Sequence, residues 1–268
     1  MIDVIRPPVR NSRSFFLNMK NILLVLWWLM AGSIQAGEMD ILIQKANQSY
    51  IEGMYAQAAE QYKKVILLGY ESPELYYNLG NAYYKMNDLP NAILWYERAR
   101  RLDPGNEEIN FNLKVANNKI SDKIEPLPEL FYIRWFRSLT TSYPSDTWAW
   151  GTVILFISSL FLGALYRTTR ILILRKTGFW VGMACFILAL SFLLFAWSSH
   201  HYLCKKNEAI IFAPTVTVKS SPDEKAIDLF VIHEGTRIVL KDRIGEWHEI
   251  QIANGSVGWI RASTLQKI

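Results

Sequence analysis

"YYNLGNAYYKMNDLPNAILWYERARRLDP", residues 76–104, reads as two short amphipathic helices whose fixed features are small residues and aromatics. It holds no nucleophile, base or metal ligand in a recognisable arrangement. Shifting the chain by 34 positions pairs Ala58 with Ala92, Tyr62 with Tyr96, Ala46 with Gly80 and Tyr50 with Tyr84. Self-similarity at such a period marks a helical repeat. Gly80 and Ala92 are small where two antiparallel helices must approach closely. Leu79, Tyr83, Tyr96 and Ala99 fill the space around them, and Pro104 ends the unit.

Those residues closely resemble the tetratricopeptide repeat. Tyr76, Leu79, Gly80, Tyr83, Ala92, Tyr96, Ala99 and Pro104 match its eight signature positions, with Tyr in place of the usual first Trp. In the upstream copy, residues 39–72, Ala46, Ala58 and Tyr62 fit, while Lys45 and Ser49 replace apolar residues. Residues 107–120 look like the solvating helix that caps such an array, because one helix pair cannot bury both its faces. The resemblance implies a protein- or peptide-binding scaffold whose groove is lined by the first helix of each repeat. Asn47 and Asn81 follow the signature small residue, and a pair of amides can both donate to and accept from the backbone of an extended peptide. A reading of both as plain exposed helix residues stands beside that one. Tyr50, Tyr77 and Tyr84 complete the candidate groove, since aromatics enrich in binding patches. The positions where carboxylate-clamping arrays carry basic residues are Ile43, Phe111 and Val115, so recognition of a free C-terminal carboxylate is not expected.

Outward from the repeats, residues 148–166 and 178–199 are apolar runs without a charged residue, each near the ~20 residues that cross a hydrocarbon core. Trp148, Trp150, Trp180 and Trp197 stand at their ends, where an amphipathic ring prefers the water interface. The loop between them carries Arg167, Arg170, Arg175 and Lys176. Short basic loops stay cytoplasmic, which places the flanking segments outside. The N-terminus points the same way. Residues 20–38 hold a Lys, an apolar run from Ile22 to Gly32 and a small residue, Ala36, at which a leader peptidase cuts. An uncleaved anchor helix is the alternative, and Met19 is an alternative start; either form exports the repeats. The segment before the first run repeats Leu130, Ile133, Phe136 and Leu139 at spacings of three, with Arg134 and Arg137 between them. That pattern fits a helix along the membrane surface, and equally one packed against the spans.

From Ala209 the chain changes character. "TVTVK" (215–219), "RIVLK" (237–241) and "HEIQI" (248–252) alternate as strands do, and Asn254–Gly255 between two of them is a hairpin signal. Together with Trp247 and the Gly258–Trp259 pair, this region resembles a bacterial SH3-type domain. Trp247 and Trp259 read either as groove residues or as core packing.

The net charge of +5 is partly explained by topology and lipid headgroups, which removes the main support for a nucleic-acid reading, and no nucleic-acid partner is expected. The four His, residues 200, 201, 233 and 248, form no recognisable triad order, there is no phosphate loop, and adjacent His200 and His201 cannot both face one ion from a regular helix. No catalytic residue, metal or cofactor is assigned, and the protein is read as a non-enzyme. The two cysteines, Cys185 and Cys204, make no disulfide framework.

The expected fold is thus multi-domain: an all-α tetratricopeptide-repeat domain, two transmembrane helices and a small all-β SH3-like barrel. Residues 1–36 form an N-terminal extension and signal peptide, 38–124 the repeat domain, 125–146 an amphipathic juxtamembrane segment. Residues 147–167 form the first span, 168–177 a cytoplasmic basic loop, 178–200 the second span and 207–268 the barrel. This order resembles the BatE family of the Bacteroides aerotolerance operon. The resemblance implies a multi-pass protein of the cytoplasmic membrane with both soluble domains outside. Its partners would be Bat-family von Willebrand A-domain membrane proteins, in an assembly linked to stress or oxygen tolerance or envelope integrity. The alternative function is a peptidoglycan sensor acting through the SH3-type domain.

Overall fold

The computed structural model describes residues 39–128, 130–140, 142–203 and 207–268. The expected signal segment and Cys204 lie outside these. The chain divides into two compact units, one ending at Gly69 and the other running Tyr70–Ile268.

In the first unit, α1 (39–51) and α2 (Tyr55–Leu67) form one helix pair. Gly53 turns the chain at φ 79°, a conformation that glycine adopts without a Cβ penalty. Its amide donates to the Tyr50 carbonyl at 3.1 Å and the Met54 amide to that of Ser49 at 2.9 Å, closing the C-terminus of α1. Ala46, Ala58, Tyr62 and Val65 are buried between the helices. Ser49 and Gln61 are buried too, and the Ser49 hydroxyl donates to Gln61 Oε1 at 3.3 Å. The polar departure of this copy is thereby satisfied internally.

The second unit opens with α3 (Pro73–Lys85), α4 (Leu89–Leu102) and α5 (Glu107–Asn117). Ser72 caps α3 by accepting from the Leu75 amide, with Pro73 at the first helical position. Asp88 caps α4 and Asn106 caps α5 in the same way. The turn after α3 reproduces the one after α1: Asn87 sits at φ 61°, and the Asp88 amide reaches the Tyr83 carbonyl at 3.0 Å. Leu79, Ala92, Tyr96 and Ala99 are buried, and Tyr83 nearly so. Gly80 lies under the Tyr96 ring: a Cβ there would fall 2.6 Å from a ring carbon.

After α5 come α6 (Phe131–Thr140), α7 (Ser145–Thr168) and α8 (Leu172–Leu203). α7 and α8 pack along each other and leave most of their apolar surface exposed. The basic connection is shorter than the composition suggests. Leu172, Ile173 and Leu174 are good helix formers with no breaker among them, so α8 begins at Leu172 and takes Arg175 and Lys176 into its first turns.

The remainder is one seven-stranded antiparallel sheet: β1 (Glu208–Ile211), β2 (Thr215–Lys219), β3 (Asp228–His233), β4 (Arg237–Ile244), β5 (Trp247–Gln251), β6 (Val257–Arg261) and β7 (Leu265–Lys267). The order across it is β3-β2-β6-β5-β4-β1-β7. Alternation puts Val216, Val218, Ile232, Ile238, Ile250 and Ile260 on one face, where they form a core. Asn254–Gly255 closes the β5–β6 hairpin, with Gly255 at φ 91°.

The segment leaving α5 is bound to this sheet. Ile120 covers Gly235 so closely that a Cβ there would fall 2.6 Å from its methyl, and Ile124 packs against the sheet's core. The Leu127 amide donates to the Ala253 carbonyl at 3.2 Å, and the Leu127 side chain lies over Gly255. Residues 120–127 thus form a strap across the sheet.

Candidate functional site

Within the first unit, Asn47 Oδ1 accepts from the Tyr62 hydroxyl at 2.6 Å. Tyr50 stacks edge-on against Tyr55 with ring centroids 5.3 Å apart. Burial, then the charge of Tyr50, pushes the Tyr62 phenol up to about 12, so it stays a donor through the ordinary pH range.

Within the second unit, Asn81 Oδ1 accepts from the Tyr96 hydroxyl, again at 2.6 Å. It also accepts from Asn112 Nδ2 at 3.1 Å, and Asn112 Nδ2 donates to the Tyr77 hydroxyl oxygen at 2.8 Å. Tyr77 and Tyr96 lie with ring centroids 5.9 Å apart. These bonds occupy the Asn81 carbonyl oxygen and leave its two amide donors, the Asn112 Oδ1 acceptor and the Tyr77 hydroxyl donor unused by them. A few residues on, the Lys119 ammonium sits 4.3 Å from the Tyr84 ring centroid. The structure therefore brings Tyr77 and Asn81 together, joins Asn112 to them and places Tyr84 beside Lys119. Sequence reasoning missed Asn112. Its only signal was a polar residue between Phe111 and Leu113 on the capping helix.

Behind this face, α4 turns a charged row toward the sheet. Glu97 is only 3% exposed, with Arg100 at 2.5 Å and Arg237 of β4 at 3.5 Å. Arg101 pairs with Glu208 of β1 at 3.4 Å and donates to the Ile268 carbonyl at 2.7 Å, while Arg98 donates to the Lys267 carbonyl at 3.1 Å. A buried carboxylate needs such partners, since leaving one unpaired costs several kcal/mol.

The strap ends this contact in a clasp. Asp122 accepts from the His233 amide at 2.7 Å, from His233 Nδ1 at 2.7 Å and from the Thr236 hydroxyl at 2.6 Å. Burial raises the Asp122 pKa, yet the bonds from Thr236 and from the His233 amide and ring outweigh it, so the carboxyl ends below its ordinary value of 3.8. An acid, an imidazole and a hydroxyl meet here, but Thr236 gives its proton to Asp122 rather than to the imidazole. The geometry is that of a fastening, not of an activated nucleophile. A cavity of about 400 Å³ opens beside it, lined among others by Asp122, Lys123, Glu125 and Arg237.

On the sheet, Trp247 and Trp259 stand on the face away from the core, both half-buried. Trp259 lies opposite Lys219 of β2 and Glu249 of β5; the Arg261 guanidinium is 5.7 Å from the Trp247 ring centroid and pairs with Glu224. Neither tryptophan belongs to the core cluster.

Between α7 and α8 the backbones approach at small residues. A Cβ on Gly182 would lie 3.2 Å from Leu162 Cβ and 3.6 Å from the Ser159 carbonyl, and one on Gly178 would lie 3.4 Å from the Leu162 carbonyl. The Ser159 hydroxyl donates to the Gly182 carbonyl at 3.0 Å. Gly178–Gly182 and Ser159–Gly163 each keep a four-residue spacing, the pattern by which apolar helices pack closely in lipid. This spacing was readable in the sequence and was missed there. Among the described residues, no group of His, Cys, Asp or Glu could hold a metal ion.

Models of the tetratricopeptide repeat match residues 46–87 and 73–106. The helical region is thus a tetratricopeptide-repeat region, followed by two long apolar helices and an antiparallel sheet. No curated protein matches the chain. Among solved structures it is similar to "YrrB: a TPR protein with an unusual peptide-binding site", at 16% identity over 58% of this chain and 71% of that one, with a TM-score of 0.28.

Proposed function

We propose that the protein is a membrane-anchored, non-enzymatic interaction scaffold. α7 and α8 cross the cytoplasmic membrane, and the repeats and the SH3-type sheet both stand on its outer side. The observation that carries the scaffold reading is the cluster of Tyr77, Asn81 and Asn112. It is uncharged, held in place by its own hydrogen bonds, and retains amide donors and acceptors suited to an extended peptide backbone. The close crossing of α7 and α8 at Gly178, Gly182, Ser159 and Gly163, with apolar side chains outward, supports the anchor. By the resemblance in module order, the partners are Bat-family von Willebrand A-domain membrane proteins, in an assembly serving stress or oxygen tolerance or envelope integrity.

A second reading has its own support. Trp247 and Trp259 lie half-open on the outer sheet face next to Arg261, which suits a peptidoglycan-sensing surface.

Photocrosslinking in intact cells tests both. A benzophenone residue at Tyr84 replaces an aromatic already in the groove region, and one at Trp259 does so on the sheet. Adducts from Tyr84 to another membrane protein are expected. Adducts only from Trp259, and only to cell wall, would replace the scaffold with the sensor.

A further inference from the structure

We propose that α6 lies in the headgroup layer of the outer leaflet with its aromatic face inserted, so that the lipid surface itself is a binding partner of the protein. This rests on the reading of α7 and α8 as membrane spans. On a helix over Phe131–Thr140, residues Phe131, Tyr132, Trp135, Phe136 and Leu139 share one face, and Arg134 and Arg137 lie on the opposite side. Phe131 is 76% exposed and Trp135 67%, which is costly for rings of that size in water.

The depth of α6 is set by the spans. Trp148, in the first turn of α7, donates its indole N–H to the Thr140 carbonyl at 3.2 Å. The same indole packs on Phe192 and Phe195 near the far end of α8, and Phe136 of α6 meets Phe195 at 5.9 Å. The aromatic face of α6 is therefore continuous with the apolar surface of α8. At that end of the hairpin Trp150 and Trp197 also face outward, marking the interface belt. A protein partner would need to cover α6 alone and stop at the spans, whereas lipid covers both surfaces without a break. Arginines opposite an aromatic face suit this placement, since their long stems let the guanidinium reach phosphate and water.

Nitroxide scanning of the full chain in phosphatidylcholine–phosphatidylglycerol vesicles tests the placement. With Cys185→Ser and Cys204→Ser, single cysteines at positions 131–139 are labelled, and their collision rates with oxygen and with a water-soluble nickel chelate are measured. The expected result is a helical period with opposite phases: oxygen highest at 132 and 135, nickel highest at 134 and 137. Nickel access at 132 and 135 equal to that at 134 and 137 would put α6 in water. Low rates for both reagents at 132 and 135 would put it under protein. Either result overturns the proposal. Labels at Ile157→Cys and Leu188→Cys separate the two readings: oxygen-rich, nickel-poor values there keep the spans whatever α6 shows. Nickel-accessible values would sink the spans, and the placement of α6 with them.

Discussion

Tyr96 donates its hydroxyl to the side-chain carbonyl of Asn81 at 2.6 Å, and Tyr62 does the same to Asn47 in the preceding repeat. The residue after the signature small position is therefore an internal strut on its carbonyl side, and these two bonds leave its amide donors unused. Tyr96→Phe should lower stability by about 1 kcal/mol, the usual net worth of such a bond. Asn81→Asp, which loses the amide donors but keeps both acceptors, should spare the fold and weaken partner capture. Thermal unfolding and crosslinking yield, measured on the same variants, separate the two effects.

Alkaline titration gives a second check on the repeats. Burial, then the charge and hydrogen bond of Glu71, pushes the Tyr76 phenol up to about 12, alongside Tyr62. Folded values above the unfolded value of 10.0 mean that the unfolded chain releases these protons first. Stability should be complete below pH 10 and fall as pH rises toward 12. Denaturant melts across that window check this. Tyr76→Phe should flatten the fall.

Gly80→Ala should destabilise the second repeat by about 1–3 kcal/mol, because the new methyl meets the fully buried Tyr96 ring and neither can withdraw. The fluorescence-detected unfolding midpoint would show it; an unchanged midpoint would mean that the ring is free to move.

Asp122 has a depressed pKa, so its contribution is present above the unfolded value of 3.8 and is lost as pH falls through the lower folded value. Asp122→Ala should cost about 1–3 kcal/mol by orphaning buried donors, and hydrogen exchange should speed up at the His233 amide and along residues 120–127. Exchange unchanged at those amides would argue that the strap is held by Ile124 and Leu127 alone.

Gly182→Leu should push α7 and α8 apart, since the contact leaves room for little more than a methyl, and should break the Ser159 bond to the Gly182 carbonyl. A longer distance between spin labels on the two helices is expected, with the tetratricopeptide-repeat region unaffected.

The repeats were legible because their determinants are local: Gly80, Ala92 and Tyr96 lie within one helix pair and recur at a fixed shift. The apolar helices announced themselves by length and composition. What stayed hidden was long-range. Asp122 reads as one acidic residue in a polar linker, and its partners lie 111 and 114 residues away. Nothing in the chain around Glu97 and Arg101 announces their partners Arg237 and Glu208. For the tryptophans, alternation along β5 and β6 fixes which side chains share a face. Which face is covered emerged only once the sheet was assembled.

The strap has a consequence in time as well as in space. Residues 120–127 leave the ribosome before the two apolar helices, and the strands that they fasten come after them. If the hairpin enters a membrane, the sheet can close over Ile124 and Asp122 only when both spans are seated and the last segment has been delivered to the same side as the first. A chain whose second span failed to insert would leave its C-terminal strands on the wrong side, parted from the strap. Completion of the Asp122 clasp is then a molecular record that the polypeptide has been threaded correctly.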